Sequence, residues 1–381
     1  MYIYILILAF AMAGALFLPQ KTAKNTAYLA CWMIGLALFV GISDMLGGYD
    51  RYIYGELFDE LADIRQEGRN VLTAYIFLQY PTELGYAYLN ILISYFTANR
   101  YIFIFVVTLL IYLLYYINIK RYSSDYRIAL LLFFGLLFFF TFTYLRQMIG
   151  VGIAGLSFKY IYERKIWKFA LVVLIAASFH NSALILLPAY FIPAKKFSIG
   201  VVMVVMILCF FIGVFGISSS LFEAYSSTSG LEERTTQYIE DTSGFRVAYL
   251  LEAVFFLWLI LGNYGRIGKD KQQIALLNVA LTFCAILLLF IRSENGGRLG
   301  WYFVIGLIST LTVVLSASLK DVLNKLIVYA VVVFLYVRIV LGWGVLLTPY
   351  KTFFTKGIRE GDFIYDRYEY NPNYADDKFH R

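Results

Sequence analysis

IALLLFFGLLFFFTFTYLRQMIGVGIAGLSFKYIY, residues 128–162, carries only two charges, Arg146 and Lys159, in an otherwise apolar run. A helix needs about 20 apolar residues to cross the hydrocarbon core of a bilayer. The stretch divides into two crossings, 128–144 and 148–162, joined by a corner that holds one guanidinium. Backbone in lipid must satisfy its own hydrogen bonds, so both crossings are expected to be helical. Similar runs lie at 2–18, 27–46, 101–119, 199–217, 247–262, 274–291, 299–316 and 326–347. Ten full crossings are therefore expected, in an all-α polytopic membrane protein.

Composition agrees, since 61% of the 381 residues are hydrophobic, 15% are charged and the mean hydropathy is +0.72. Soluble domains carry about 25% charged residues, so that class is excluded. Cys31, Cys209 and Cys284 each sit inside an apolar run, which leaves no disulfide framework. Two histidines, His180 and His380, with no Asp-x-Asp motif, call for neither a metal nor another cofactor. The formal charge of +7 reflects basic cytoplasmic loops rather than a nucleic-acid partner. The first run has no basic residue before it and no small-residue cleavage site, and reads as an uncleaved anchor.

Two further apolar runs are harder to place. Residues 84–98 are short, and residues 169–192 are interrupted by Ser178-Phe179-His180-Asn181-Ser182. Basic residues favour the cytoplasmic side, and short basic loops occur around Lys21, Lys120, Arg164, Lys195, Arg266 and Lys320. All of them reach the cytoplasm only if both odd runs enter and leave on one side, as re-entrant or broken segments. Both termini then lie outside, with long extracytoplasmic loops at 47–83 and 218–246 and a tail at 348–381. No separate soluble domain emerges, so residues 1–381 read as one membrane domain.

Charges at a membrane boundary are costly and mark function. Gly47-Gly48-Tyr49-Asp50-Arg51-Tyr52 places an acid, a base and tyrosines at the outer surface. Tyr49, Arg51 and Tyr52 suit a glycan, although an aromatic belt would use the same residues. Tyr144-Leu145-Arg146-Gln147 sets a planar guanidinium at an outer corner where a helix begins, which suits phosphate oxygens. Arg292 and Arg298 flank a glycine-containing turn as a second anion clamp. Glu83 heads the short run, and His180 lies in the polar interruption, where it can position or deprotonate a hydroxyl. Together these residues imply an outward cavity for a ligand that is anionic, partly lipidic and rich in hydroxyls.

At these residues the chain resembles the EpsG family of bacterial polysaccharide polymerases, relatives of the Wzy O-antigen polymerases. Gly48-Tyr49-Asp50-Arg51-Tyr52, Glu83 through Asn90, Leu145-Arg146-Gln147 with Gly150, Phe179-His180-Asn181-Ser182-Ala183-Leu184, Arg298 and Pro349-Tyr350 follow in the family's order. The resemblance implies a GT-C-like glycosyltransferase of the bacterial cytoplasmic membrane, with its site facing the periplasm or cell exterior. The growing glycan would pass from undecaprenyl diphosphate to the non-reducing end of a new lipid-linked repeat. Arg146 and Arg298, with Arg292 as a weaker third, would bind the diphosphate. Asp50 or His180 would be the base, and Tyr49, Arg51, Tyr52, Glu83 and Gln147 would hold the glycan. Expected partners are the lipid-linked oligosaccharide, membrane lipid and a chain-length regulator protein. A flippase of the same lipid-linked glycan, or a ligase of the O-antigen type, are the rival readings. A flippase should show pseudo-repeated halves, and none is visible.

Overall fold

A computed structural model describes residues 1–217, 244–293, 295–316, 322–358, 361–369 and 371–381. Among the described residues every regular element is a helix, and extended pairing is confined to a single bridge between Ser43 and Thr352. In chain order the principal helices are α1 (Tyr2–Phe17), α2 (Thr26–Gly41), α3 (Asp50–Gln66), α4 (Tyr75–Gln79), α5 (Leu84–Ser94), α6 (Arg100–Tyr122), α7 (Tyr126–Leu136) and α8 (Phe140–Thr143). They continue as α9 (Leu145–Tyr162), α10 (Ile166–Ala177), α11 (Ile199–Val214), α12 (Val247–Gly262), α13 (Lys271–Leu289), α14 (Gly297–Gly300), α15 (Val304–Ser316) and α16 (Val322–Gly342).

Side-chain caps mark the starts of several of these helices. Asn25, Asn99, Asp125, Ser198 and Asp270 each accept a hydrogen bond from a first-turn backbone N–H of α2, α6, α7, α11 and α13. Lys120 and Arg121 close the last turn of α6, where the helix dipole favours cations.

The apolar, all-helical architecture is that of a polytopic membrane protein. Four described helices are long and apolar enough to cross a bilayer: Arg100–Tyr122, Lys271–Leu289, Gly297–Leu315 and Val322–Gly342. Shorter apolar helices, among them α1, α2, α7, α11 and α12, have 10–17 residues. Sixteen residues of helix rise about 24 Å, short of the roughly 30 Å hydrocarbon core. The expected runs thus appear as a mixture of long and short apolar helices.

The opening stretch also differs from its reading as two unbroken crossings. Residues 128–144 are divided into α7 and α8 at Leu137 (φ −134°), although no proline and no polar residue stands there. Local bonds absorb the break, since the Leu137 and Phe138 amides both donate to Phe133 O. Thr141 Oγ1 donates to Phe138 O at 2.6 Å and meets Tyr112 OH at 3.0 Å.

The two odd runs are short and broken, and they touch. α10 stops at Ala177, His180 is extended (φ −153°), and a 3-10 helix with Pro188 inside follows over Asn181–Phe191. The Tyr86 amide of α5 donates to Ser178 O at 3.2 Å. A Cβ on Gly85 would stand 2.2 Å from Ser178 Oγ, so glycine permits the approach.

The loop 47–83 folds as the amphipathic helix α3, a 3-10 turn and α4. Gly47 (φ +105°) donates to Leu346 O at 2.9 Å, and a Cβ there would lie 2.6 Å from Phe142 Cβ. The tail from 348 folds back over this layer. Arg100 pairs with Glu369 at 2.7 Å, Tyr374 OH donates to Asp59 at 2.9 Å, and Lys378 pairs with Asp44 at 3.3 Å. Most of the expected loop 218–246 lies outside the described residues.

Candidate functional site at the head of helix α9

α9 begins at Leu145, so Arg146 and Gln147 occupy its first turn, facing the layer formed by α3 to α5 and the break after α10. Arg146 pairs with Glu83, and the Glu83 Oε1 atom accepts the Asn181 amide at 3.1 Å. That amide is available because the chain at His180 is extended. One carboxylate thus ties the corner at 144–147 to the polar interruption at 178–182. The Arg146 guanidinium carbon lies 3.7 Å from the Tyr80 ring centroid, with Tyr54 and Tyr86 at 5.6 and 5.9 Å. Its Nε is buried and has no hydrogen-bond partner among the described residues.

Gln147 holds the second cation. Its Oε1 accepts from Arg298 Nε at 3.1 Å and Nη2 at 2.9 Å, while its Nε2 donates to Arg298 O at 3.1 Å. This reciprocal clamp fixes the plane of the Arg298 guanidinium, which rests 4.2 Å from the Tyr144 ring centroid. Gln147 itself is buried, which makes it a holder of Arg298 in the first place.

Asp50, the first residue of α3, feels both guanidiniums. Burial pushes its carboxyl above the ordinary carboxylate range, and the charges of Arg298 and Arg146 pull it back. Tyr49 beside it is half exposed at the rim and stacks on Tyr368, with centroids 5.3 Å apart. Across the break, His180 Nδ1 lies 2.6 Å from Ser182 Oγ and 3.3 Å from Tyr302 OH, and those hydroxyls are 3.0 Å apart. Both hydroxyls meet the same ring nitrogen, so the imidazole is held through its Nδ1 edge.

Three expected site residues do not join this constellation. Arg51 is fully buried and donates to Ser43 O at 3.2 Å, Ser43 Oγ at 2.7 Å and Val40 O at 2.9 Å. It ties α3 to the end of α2, and a glycan has no access to it. Tyr52 is likewise turned inward, edge-on to Tyr365. Helix periodicity explains both, because consecutive residues of α3 cannot all share the outer face. Arg292 donates to Val214 O at 3.2 Å and caps the end of α11.

The sequence reading missed Tyr54, Tyr80 and Tyr86 around Arg146, and the Ser182–Tyr302 pair beside His180. Nothing in the local pattern separates those tyrosines from the other tyrosines of the chain. It also passed over Glu252 and Arg338, each a lone charge inside an apolar run. That signal was present.

No curated protein matches the chain, and no solved structure does. The model of the EpsG family matches residues 28–352, a span that takes in Asp50, Glu83, Arg146, Gln147, His180 and Arg298. With the bulk of its length covered, the chain belongs to the EpsG family, a family of Wzy-like polymerases.

Proposed function

We propose that the protein polymerises undecaprenyl-diphosphate-linked oligosaccharide repeats at the outer face of the bacterial cytoplasmic membrane. The observation that carries this reading is the head of α9, where Arg146 and Arg298 are both fixed by carboxylate or amide partners and both act on Asp50. Two rigid guanidiniums suit the oxygens of a diphosphate leaving group. The basic last turn of α6, at the opposite helix end from Arg100, supports an outward-facing α9 head by the charge rule.

In the reaction, a hydroxyl oxygen at the non-reducing end of the new unit attacks the anomeric carbon of the growing chain. The bond from that carbon to the diphosphate oxygen breaks, and polyprenyl diphosphate leaves with the electron pair. Arg146 and Arg298 neutralise the charge that develops on it. The hydroxyl proton passes to Asp50, which stands beside both cations. His180, held by Ser182 and Tyr302, orients the acceptor sugar. Holding two reactants in line supplies most of the acceleration, since the leaving group is already activated.

Purified protein reconstituted with the lipid-linked repeat of the encoding organism tests this directly. A ladder of chain lengths, lost in Arg146→Ala, is the expected result. Transfer of unpolymerised units across the bilayer, with no ladder, would assign the same residues to a flippase.

A further inference from the structure

A second group of charges lies within the apolar layer, outside the constellation described above. Glu252 is in the second turn of α12, and Arg338 stands four residues before the end of α16. At 1.5 Å per residue, both are about 6–8 Å below the helix ends. Those ends are on the side of the α9 head, because the Arg246 amide donates to Ile291 O and the Gly47 amide to Leu346 O. Both side chains line one cavity of about 460 Å³, within the roughly 300–1,000 Å³ typical of ligand pockets.

The cavity is built from parts that do not pack on each other tightly. α12 leans on α13 and α15, whereas α16 leans on α7 and α1. Ala248 and Gly342, on the rims contributed by α12 and α16, are exposed. Phe283, Leu287 and Leu335 give an apolar wall, Trp301 and Trp343 add flat aromatic faces, and Arg298 closes the end nearest the α9 head.

A charge at membrane depth is costly and normally paired. The field of Arg338 reaches Glu252, yet among the described residues the two form no ion pair, and Arg338 donates no hydrogen bond. Arg338 is exposed, so its donors remain open to the cleft. An anionic head near Arg338 and Arg298, with an isoprenoid or acyl tail along Phe283, Leu287 and Leu335, fits this lining, and Glu252 is the acid the head must stand clear of.

We propose that the cleft between α12 and α16 seats a polyprenyl diphosphate, with Arg338 and Arg298 on its phosphates and the tail leaving between the helices. The choice of a polyprenyl diphosphate over an ordinary phospholipid rests on the polymerase reading above. The cleft then connects the bilayer to Arg298, so one guanidinium serves both the seat and the reacting centre.

The test uses the full chain in vesicles of phosphatidylethanolamine and phosphatidylglycerol, with a benzophenone amino acid at Leu335 and radiolabelled undecaprenyl diphosphate as the probe. Light should cross-link the probe, excess phosphatidylglycerol should not compete, and Arg338→Gln should reduce labelling at least tenfold. Arg338→Lys should recover part of it. In the ladder assay Arg338→Gln should raise KM for the lipid-linked repeat more than it lowers kcat. Ala248→Trp, which fills the rim without touching a charge, should have the same effect and guards against a folding defect in the first variant. Unchanged labelling in both variants, or equal competition by phosphatidylglycerol, overturns the seat. A ladder that persists in wild type with no cross-link overturns the seat and leaves the polymerase reading intact. A cross-link with no ladder supports the seat and sinks the polymerase reading instead.

Discussion

Replacing Glu83 by alanine isolates the contact on which the α9 head depends. The Glu83 side chain is 3% exposed and that of Arg146 13%, so the pair is screened little by water. Removing the carboxylate leaves a buried guanidinium and the Asn181 amide without their acceptor. An orphaned buried charge of this kind costs about 3–5 kcal/mol. The Tyr80 ring beneath Arg146 returns only about 0.5–2 kcal/mol, so the loss dominates. Glu83→Ala should lower the melting temperature in detergent by roughly 5 °C or more. The double variant Glu83→Gln/Arg146→Met removes both charges and should regain most of that stability, because apolar replacement of a buried pair is close to neutral. Its polymer output should nevertheless stay down by about 10²–10³, the usual loss when one charge-stabilising donor is removed. A double variant that is both stable and fully active would refute the reasoning, since Arg146 would then be a structural partner of Glu83 and nothing more.

Other perturbations follow from the same geometry. Asp50→Asn should reduce ladder formation by about 10²–10⁴. Because a base works deprotonated, the wild-type rate should fall as pH drops through the raised Asp50 value; Arg298→Gln, which removes the largest lowering charge, should move that acid limb to higher pH in a kcat/KM profile. Burial pushes Glu56 up to about 7 and Asp59 up to about 6, against unfolded values near 4.5 and 3.8. A raised carboxyl adds stability that is whole below the unfolded value and lost as pH rises through the folded one. Protection of amides in α3 and the tail, corrected for the intrinsic pH dependence of exchange, should therefore rise from pH 7.5 to pH 5.5, and Glu56→Gln should flatten the change. Gly47→Ala should destabilise by about 1–3 kcal/mol, read as a lower melting temperature, because positive φ and the Phe142 contact act together.

Much of this molecule was legible before any tertiary contact was known. Apolar runs reveal helices because lipid leaves backbone groups no other partner. The corner at Tyr144–Gln147 was visible as the single charge between two such runs, and α9 does start there. The polar interruption at 178–182 announced the end of α10, since serine and asparagine compete for backbone hydrogen bonds. The break at Leu137 was invisible for the opposite reason, as its backbone is satisfied by Phe133 and by Thr141, which also meets Tyr112 of another helix.

Partnership between charges belonged to the tertiary structure alone. Hydropathy is a property of a window of neighbours, whereas Glu83 and Arg146 are 63 residues apart and Arg100 and Glu369 are 269 apart. A reading by residue type gave both Arg51 and Arg146 a ligand, the glycan for one and the diphosphate for the other. Packing sends Arg51 inward to the carbonyls of Val40 and Ser43 and keeps Arg146 beside Asp50. The tail at 348–381 had the composition of a loose polar end, yet it is held by ion pairs to α3 and α6. Sequence alone determined that this chain is a helical membrane protein with cations at corners between its apolar runs. Which cations face a ligand was decided by where each side chain's partner lies in space, because a buried charge goes wherever another group can compensate it.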